Sequence, residues 1–128
     1  MPIDRILLPI DSPGNVVDPG GLKNSTSGVQ VALNQLKAAG GGRLLVPPGS
    51  YRLKSSGVVN NVQTAVKIDF GNVEILAQNP NDSPLFFTDE TFTGPPGNAT
   101  TLFQFHIPGG GSAFSQLKLT NLKFRGPL

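Results

Sequence analysis

Few residues in this chain of 128 are of a type and spacing that could do chemistry. Acid–base cleavage of a glycosidic bond needs two carboxyl groups facing each other across a sugar, one of them with a raised pKa. Asp89-Glu90 is the one adjacent acidic pair. Neighbours on an extended chain point to opposite sides, so the pair reads as a solvated turn. His106 is the only histidine, and on an alternating strand it faces away from Phe105 and Ile107, as an outward or interface residue. One histidine cannot supply the three or four ligands of a metal site. The chain has no cysteine, which excludes disulfides and thiolate-bound metals and leaves the redox compartment open. Gly40-Gly41-Gly42 and Gly109-Gly110-Gly111-Ser112 are not followed by Lys-Ser/Thr, so neither is a phosphate cradle. Asn24-Ser25-Thr26, Asn81-Asp82-Ser83 and Asn98-Ala99-Thr100 fit the glycosylation pattern, which a chain rich in these residues meets by chance. No catalytic, metal-binding or cofactor-binding residue is assigned, and no cofactor is expected.

Recognition of sugars commonly stacks their faces on exposed Trp or Tyr, but the chain has no Trp and a single Tyr, Tyr51. Most of the eight Phe fall at apolar strand positions, Phe92 in Thr91-Phe92-Thr93 being the exception. A surface polysaccharide therefore stays only a secondary candidate partner. The Lys and Arg residues, ten in all against eight acids, are scattered singly, so no nucleic-acid surface is expected. Met1-Pro2-Ile3-Asp4-Arg5-Ile6 lacks the layout of a signal peptide, and no apolar run reaches transmembrane length. No membrane partner is expected.

The elements that would position any site are clearest between residues 25 and 53. Val29, Ala32, Leu33 and Leu36 fall at i, i+3, i+4 and i+7, one apolar stripe of a helix. Ser25, Thr26 and Ser27 offer oxygens for its first-turn amides, and Gly40 to Gly42 can take the left-handed conformation that ends it. Leu44-Leu45-Val46 is a short buried strand, and Pro47-Pro48-Gly49-Ser50-Tyr51 is a corner at which no hydrogen-bond ladder continues. Downstream, apolar residues alternate at Val66, Ile68 and Phe70, and at Phe103, Phe105 and Ile107. Leu117, Leu119, Leu122 and Phe124 repeat the pattern around Thr120-Asn121. Strand-sized pieces about every twenty residues suggest stacked coils.

Helix, triple glycine, apolar strand and Pro-Pro-Gly-x-Tyr corner, in that order, resemble the N-terminal cap of the pectate-lyase-like right-handed parallel β-helix superfamily. Polysaccharide lyases, polygalacturonase-type hydrolases and many phage tailspikes belong to it. The resemblance covers roughly residues 16 to 76. Before the helix this chain has Val17 to Ser27 where family members carry an acidic-pair run, and no segment matches the polygalacturonase signatures. The resemblance implies an all-β fold, a right-handed parallel β-helix of few coils with an amphipathic capping helix. One domain, 1–128, is expected: extension, cap helix and first strand over 1–53, then about three coils over 54–128 with a loop near 79–98. The structural cap comprises Val29, Ala32, Leu33, Leu36, Gly40, Pro47, Pro48, Gly49 and Tyr51.

Without a second cap after Phe124, the stack would leave an open end, which an assembly or further chain must cover. The expected function is a non-catalytic structural module of a phage tail or tailspike, in a virion or extracellular setting. Its partners would be further copies, as a homo-oligomer such as a trimer, or other virion subunits. The alternatives are the front of a polysaccharide lyase or hydrolase whose active site lies beyond residue 128, and a subunit of an extracellular filament.

Overall fold

The computed structural model describes residues 3–9, 16–54, 57–59, 62–88, 100–105 and 117–125. Asp89-Glu90, Phe92, His106 and the second glycine cluster lie outside them, as does the whole second half of the expected loop, 89–98. In chain order the elements are β1 (Ile3–Ile6), β2 (Gly20–Asn24), α1 (Thr26–Ala38), β3 (Gly42–Val46), β4 (Ser50–Arg52) and β5 (Gly57–Val59). They continue as β6 (Val62–Ile68), β7 (Val73–Ala77), β8 (Leu85–Phe87), β9 (Thr100–Phe105), β10 (Leu117–Thr120) and β11 (Lys123–Arg125).

Two four-stranded sheets are wholly parallel, ordered β1-β3-β7-β10 and β11-β8-β4-β2. A third sheet, β5-β6-β9, is mixed: β6 pairs antiparallel with β5 and parallel with β9. This corrects the expectation of an all-β solenoid made of regular coils. The chain forms two small parallel sheets, a mixed sheet and a helix, and its described residues show no β-helix. The spacing is the physical reason. In the first sheet Ile3 pairs with Gly42, Gly42 with Val73 and Val73 with Leu117, offsets of 39, 31 and 44 residues instead of a steady twenty. The β5–β6 hairpin reverses the chain within what should have been one coil. Residues 85–87, inside the expected loop, form β8.

Alternation places the core. Along β3 and β7, Leu44, Val46, Val73, Ile75 and Ala77 are buried while Arg43 stays exposed and Glu74 half-buried. Tyr51 of β4 and Phe86 of β8 come from the second sheet, and Val66 and Ile68 of β6 from the third. All three sheets thus face one core with Val29, Leu33 and Leu36 of α1. The helix begins at Thr26, but the Ser25 hydroxyl does not cap it. That hydroxyl accepts the Asp18 amide at 2.9 Å, and the Asn24 side-chain oxygen accepts the Thr26 amide at 3.0 Å. Gly40, at φ 85°, follows the last turn, where its amide and that of Gly41 reach the Lys37 and Leu36 carbonyls. Gly42 has φ 141°, and a Cβ there would collide with the Ile3 carbonyl oxygen, so only glycine lets β1 lie against β3.

Leu33 is fully buried. Leu33→Ala is expected to lower the unfolding free energy by about 2–5 kcal/mol, and Leu33→Asp by at least as much, read from urea denaturation midpoints. An unchanged midpoint would mean that α1 does not pack on this core.

Candidate functional site

The residues assigned to the cap come together in the core and its corner. Val29, Ala32, Leu33 and Leu36 are buried at the inner face of α1. Pro47, Pro48 and Gly49 carry the chain from β3 in the first sheet to β4 in the second. The Tyr51 hydroxyl donates to the Pro47 carbonyl at 2.8 Å, closing this corner from inside. Burial pushes its phenol up to about 12. These contacts hold the fold together and leave no reacting group exposed.

The acids with described partners are engaged in structure. The Asp18 carboxylate accepts the amides of Gly20, Leu22 and Lys23 at 2.9, 3.0 and 2.8 Å. Those hydrogen bonds, led by that from Lys23, hold its carboxyl below the usual carboxylate range. An open groove of about 420 Å³ lies beside it, bounded by Pro9, Val16, Pro19 and Leu22. A carboxylate tied to its own loop makes a poor acid or base. Asp69 pairs with Lys37 at 3.0 Å. Among the described residues no group of three or more His, Asp or Glu could hold a metal. No helix among them is long and apolar enough to cross a membrane.

The unusual surface is at the ends of the parallel sheets. Ile3 and Ile6 on β1, Leu8 just after it, Leu22 on β2, Leu119 on β10 and Phe124 on β11 are the exposed large hydrophobics of the described residues. Leu22 is the extreme, at 86% exposure. Every one lies on, or next to, an edge strand of a parallel sheet. Edge strands also present unpaired backbone amides and carbonyls. At the C-terminal edge, β10 and β11 are joined by Asn121 and Leu122, so the two sheets end side by side. Asn121 makes this corner in the left-handed region, at φ 56°. A run of rings leads to it: Tyr51 lies 5.4 Å from Phe86, and Phe86 lies 6.0 Å from Phe124. Phe103 packs edge-on against both Phe86 and Phe124.

One charged row runs along the outer face of the first sheet. Register places Asp4 beside Arg43, Arg43 beside Glu74 and Glu74 beside Lys118. The signs alternate across all four strands. Arg43 grips Asp4 with two bonds, Nε to Oδ1 at 2.9 Å and Nη2 to Oδ2 at 2.6 Å. That grip holds the Asp4 carboxyl below its ordinary value. The guanidinium is in turn raised by Asp4 and, more weakly, by Glu74. Glu74 accepts the Thr120 hydroxyl at 3.0 Å and lies 4.0 Å from Lys118 Nζ. Composition did not reveal this row, because its members are scattered along the sequence and only the register assembles them.

Comparison of the chain with protein-family models, curated proteins and solved structures finds no match.

Tyr51 is the only tyrosine, and there is no tryptophan, so tyrosinate absorbance reports this residue alone. A phenol raised in the folded state contributes stability that is complete below its unfolded value of 10 and is lost as pH rises toward about 12. Denaturant midpoints are expected to drop across that window, with tyrosinate appearing near its upper end, and Tyr51→Phe to remove that drop. Tyrosinate that appears near pH 10 in the folded protein would show an accessible phenol. Asp4 and Asp18 act oppositely: their contribution is present above 3.8 and fades as pH falls below it.

Proposed function

We propose that this chain is a structural, non-catalytic assembly module that joins other polypeptide through the open edges of its two parallel sheets. One observation carries the reading: the exposed large hydrophobics of the described residues collect at edge strands β1, β2, β10 and β11. Scattered exposed leucines mean little, but clustered apolar side chains beside unpaired backbone offer both area and hydrogen bonds to a partner strand. The ring series ending at half-exposed Phe124 supports the same reading, because another apolar side chain would extend it.

The setting we propose is a virion or other extracellular assembly, such as a phage tail component. Its support is the resemblance of the segment from Gly28 to Leu53 to caps found in tailspikes, together with the low charge and the absence of an assignable acid–base pair. A lyase or hydrolase gains no support from Asp4, Asp69, Glu74 and Asp18, which are committed to Arg43, Lys37, Lys118 and the amides around Gly20.

Sedimentation across a concentration series is expected to show species well above the 13.4 kDa of one chain. Leu22→Lys, at a side chain that contributes little to the core, should weaken that association about tenfold or more, roughly 1.4 kcal/mol, with an unchanged melting temperature. A chain that remains monomeric up to about millimolar concentration, where a contact worth only about 4 kcal/mol would already show, overturns the assembly reading. Cleavage of a glycan by the chain alone would overturn its non-catalytic part.

A further inference from the structure

We infer that the partner is a second copy of this chain, docked head to tail so that its β1 pairs with β10 and its β2 with β11. The inference rests on the assembly reading above and specifies its partner and register. It comes from the two ends of the charged row. Asp4, Arg43, Glu74 and Lys118 alternate in sign, beginning with an anion at one edge and ending with a cation at the other. The next strand beside β10 should therefore place an anion against Lys118. In the register that already relates β1 to β3, β3 to β7 and β7 to β10, that residue is Asp4 of the next copy.

The rest of the register fits. Ile3 of the incoming copy meets Leu117, and its Ile6 meets Thr120. Its Arg5 falls in the row of Leu44, Ile75 and Leu119, where the aliphatic stem can cover the exposed Leu119. The Arg5 Nε is buried without a hydrogen-bond partner in the single chain, and the neighbouring β10 backbone offers acceptors. In the second sheet, Gly20, Ser50, Leu85 and Lys123 share a row. Lys123 therefore meets Gly20 of the second copy, whose amide is held by the Asp18 carboxylate. Strand direction agrees too, since every pairing in both sheets is parallel.

A like-to-like contact is disfavoured by the same charges. Two C-terminal edges brought together would confront Lys118, Lys123 and Arg125 with a second set of three cations. A head-to-tail contact uses different surfaces on the two copies, so it propagates into a filament, or into a ring where the rotation closes.

Because the chain has no cysteine, the register can be trapped directly. Adjacent strands lie about 4.8 Å apart, within the span of a disulfide, whereas positions 4 and 118 of one chain are three strands apart, about 14 Å, and cannot be bridged. Under mild oxidation, the double variant Asp4→Cys/Lys118→Cys is expected to give a ladder of linked dimers, trimers and higher species. A control with Asp4→Cys and Thr120→Cys, two residues out of register, should give several-fold less. Dimers from Lys118→Cys alone, as abundant as those of the double variant, would mean like edges meet and would overturn the head-to-tail contact. Association of the unmodified chain without a 4–118 crosslink overturns this register and leaves the assembly reading standing. A monomeric unmodified chain overturns both. Charge exchange gives a second readout that needs no oxidation. Asp4→Lys and Lys118→Asp should each associate poorly alone and associate when mixed, because every junction in the mixture then joins opposite charges. Mixing without recovery overturns the role given to the charged row.

Discussion

Parallel strands cannot be joined by a tight turn, and that constraint organises everything else in this chain. After β3 the backbone must leave the first sheet, pass through the second and third, and return before β7 can pair with β3. Each departure needs a corner, and the corners must stay aligned or the registers of the two sheets would drift apart. Hydrogen bonds between successive corners keep them aligned. The Gln78 amide donates to Val46, Leu85 to Gly49 and Lys123 to Pro84, at 2.8, 2.9 and 3.0 Å. The Pro47-Pro48 corner is stiff because both φ angles are fixed, and the Tyr51 hydroxyl ties it from within. Core packing depends on this alignment, since a slip of one residue would turn Leu44, Ile75 and Phe86 outward.

What the sequence showed depends on how local each feature is. The stripe Val29, Ala32, Leu33 and Leu36, the glycine stop and the proline corner are short-range patterns, and the structure places them in one helix, its end and the turn after β3. Pairing between strands is not local. Offsets of 39, 31 and 44 residues leave no period to detect, and the even spacing of apolar runs along the chain does not correspond to strand pairing. The hairpin of β5 and β6 did have a signal: Val58-Val59 and Val62 flank Asn60-Asn61, a polar pair of the kind that joins hairpin strands. Ser25 does stand at the N-cap, but Asn24 competes for the first helical amides, and the Asp18 amide uses the serine hydroxyl instead. Local chemistry named the candidates for the cap, and tertiary geometry chose among them.

The charged row shows why a functional surface of this kind escapes sequence reading. Asp4, Arg43, Glu74 and Lys118 are unremarkable singly, and their separations follow no helical or strand period. Only register makes them neighbours. Even then the row is a weak source of stability, because exposed ion pairs contribute between nothing and about 1 kcal/mol each. Its physical role lies elsewhere. A row that alternates in sign has two unlike ends, and unlike ends distinguish one orientation of approach from another.

Affinity and orientation thus come from different groups at the same edges. Apolar area gives roughly 25 cal/mol per Å² whichever way two copies meet, so Ile3, Leu22, Leu119 and Phe124 supply attraction without direction. Proteins often protect such edges with charge, and here the C-terminal edge carries Lys118, Lys123 and Arg125. Cations of one sign reject a matching edge. They do not reject Asp4, nor the Asp18 carboxylate beside Gly20, both held below the ordinary carboxylate value by their hydrogen bonds. The same three side chains can therefore guard against one contact and admit the other. A protein that must assemble in one direction needs this difference more than it needs a strong pair.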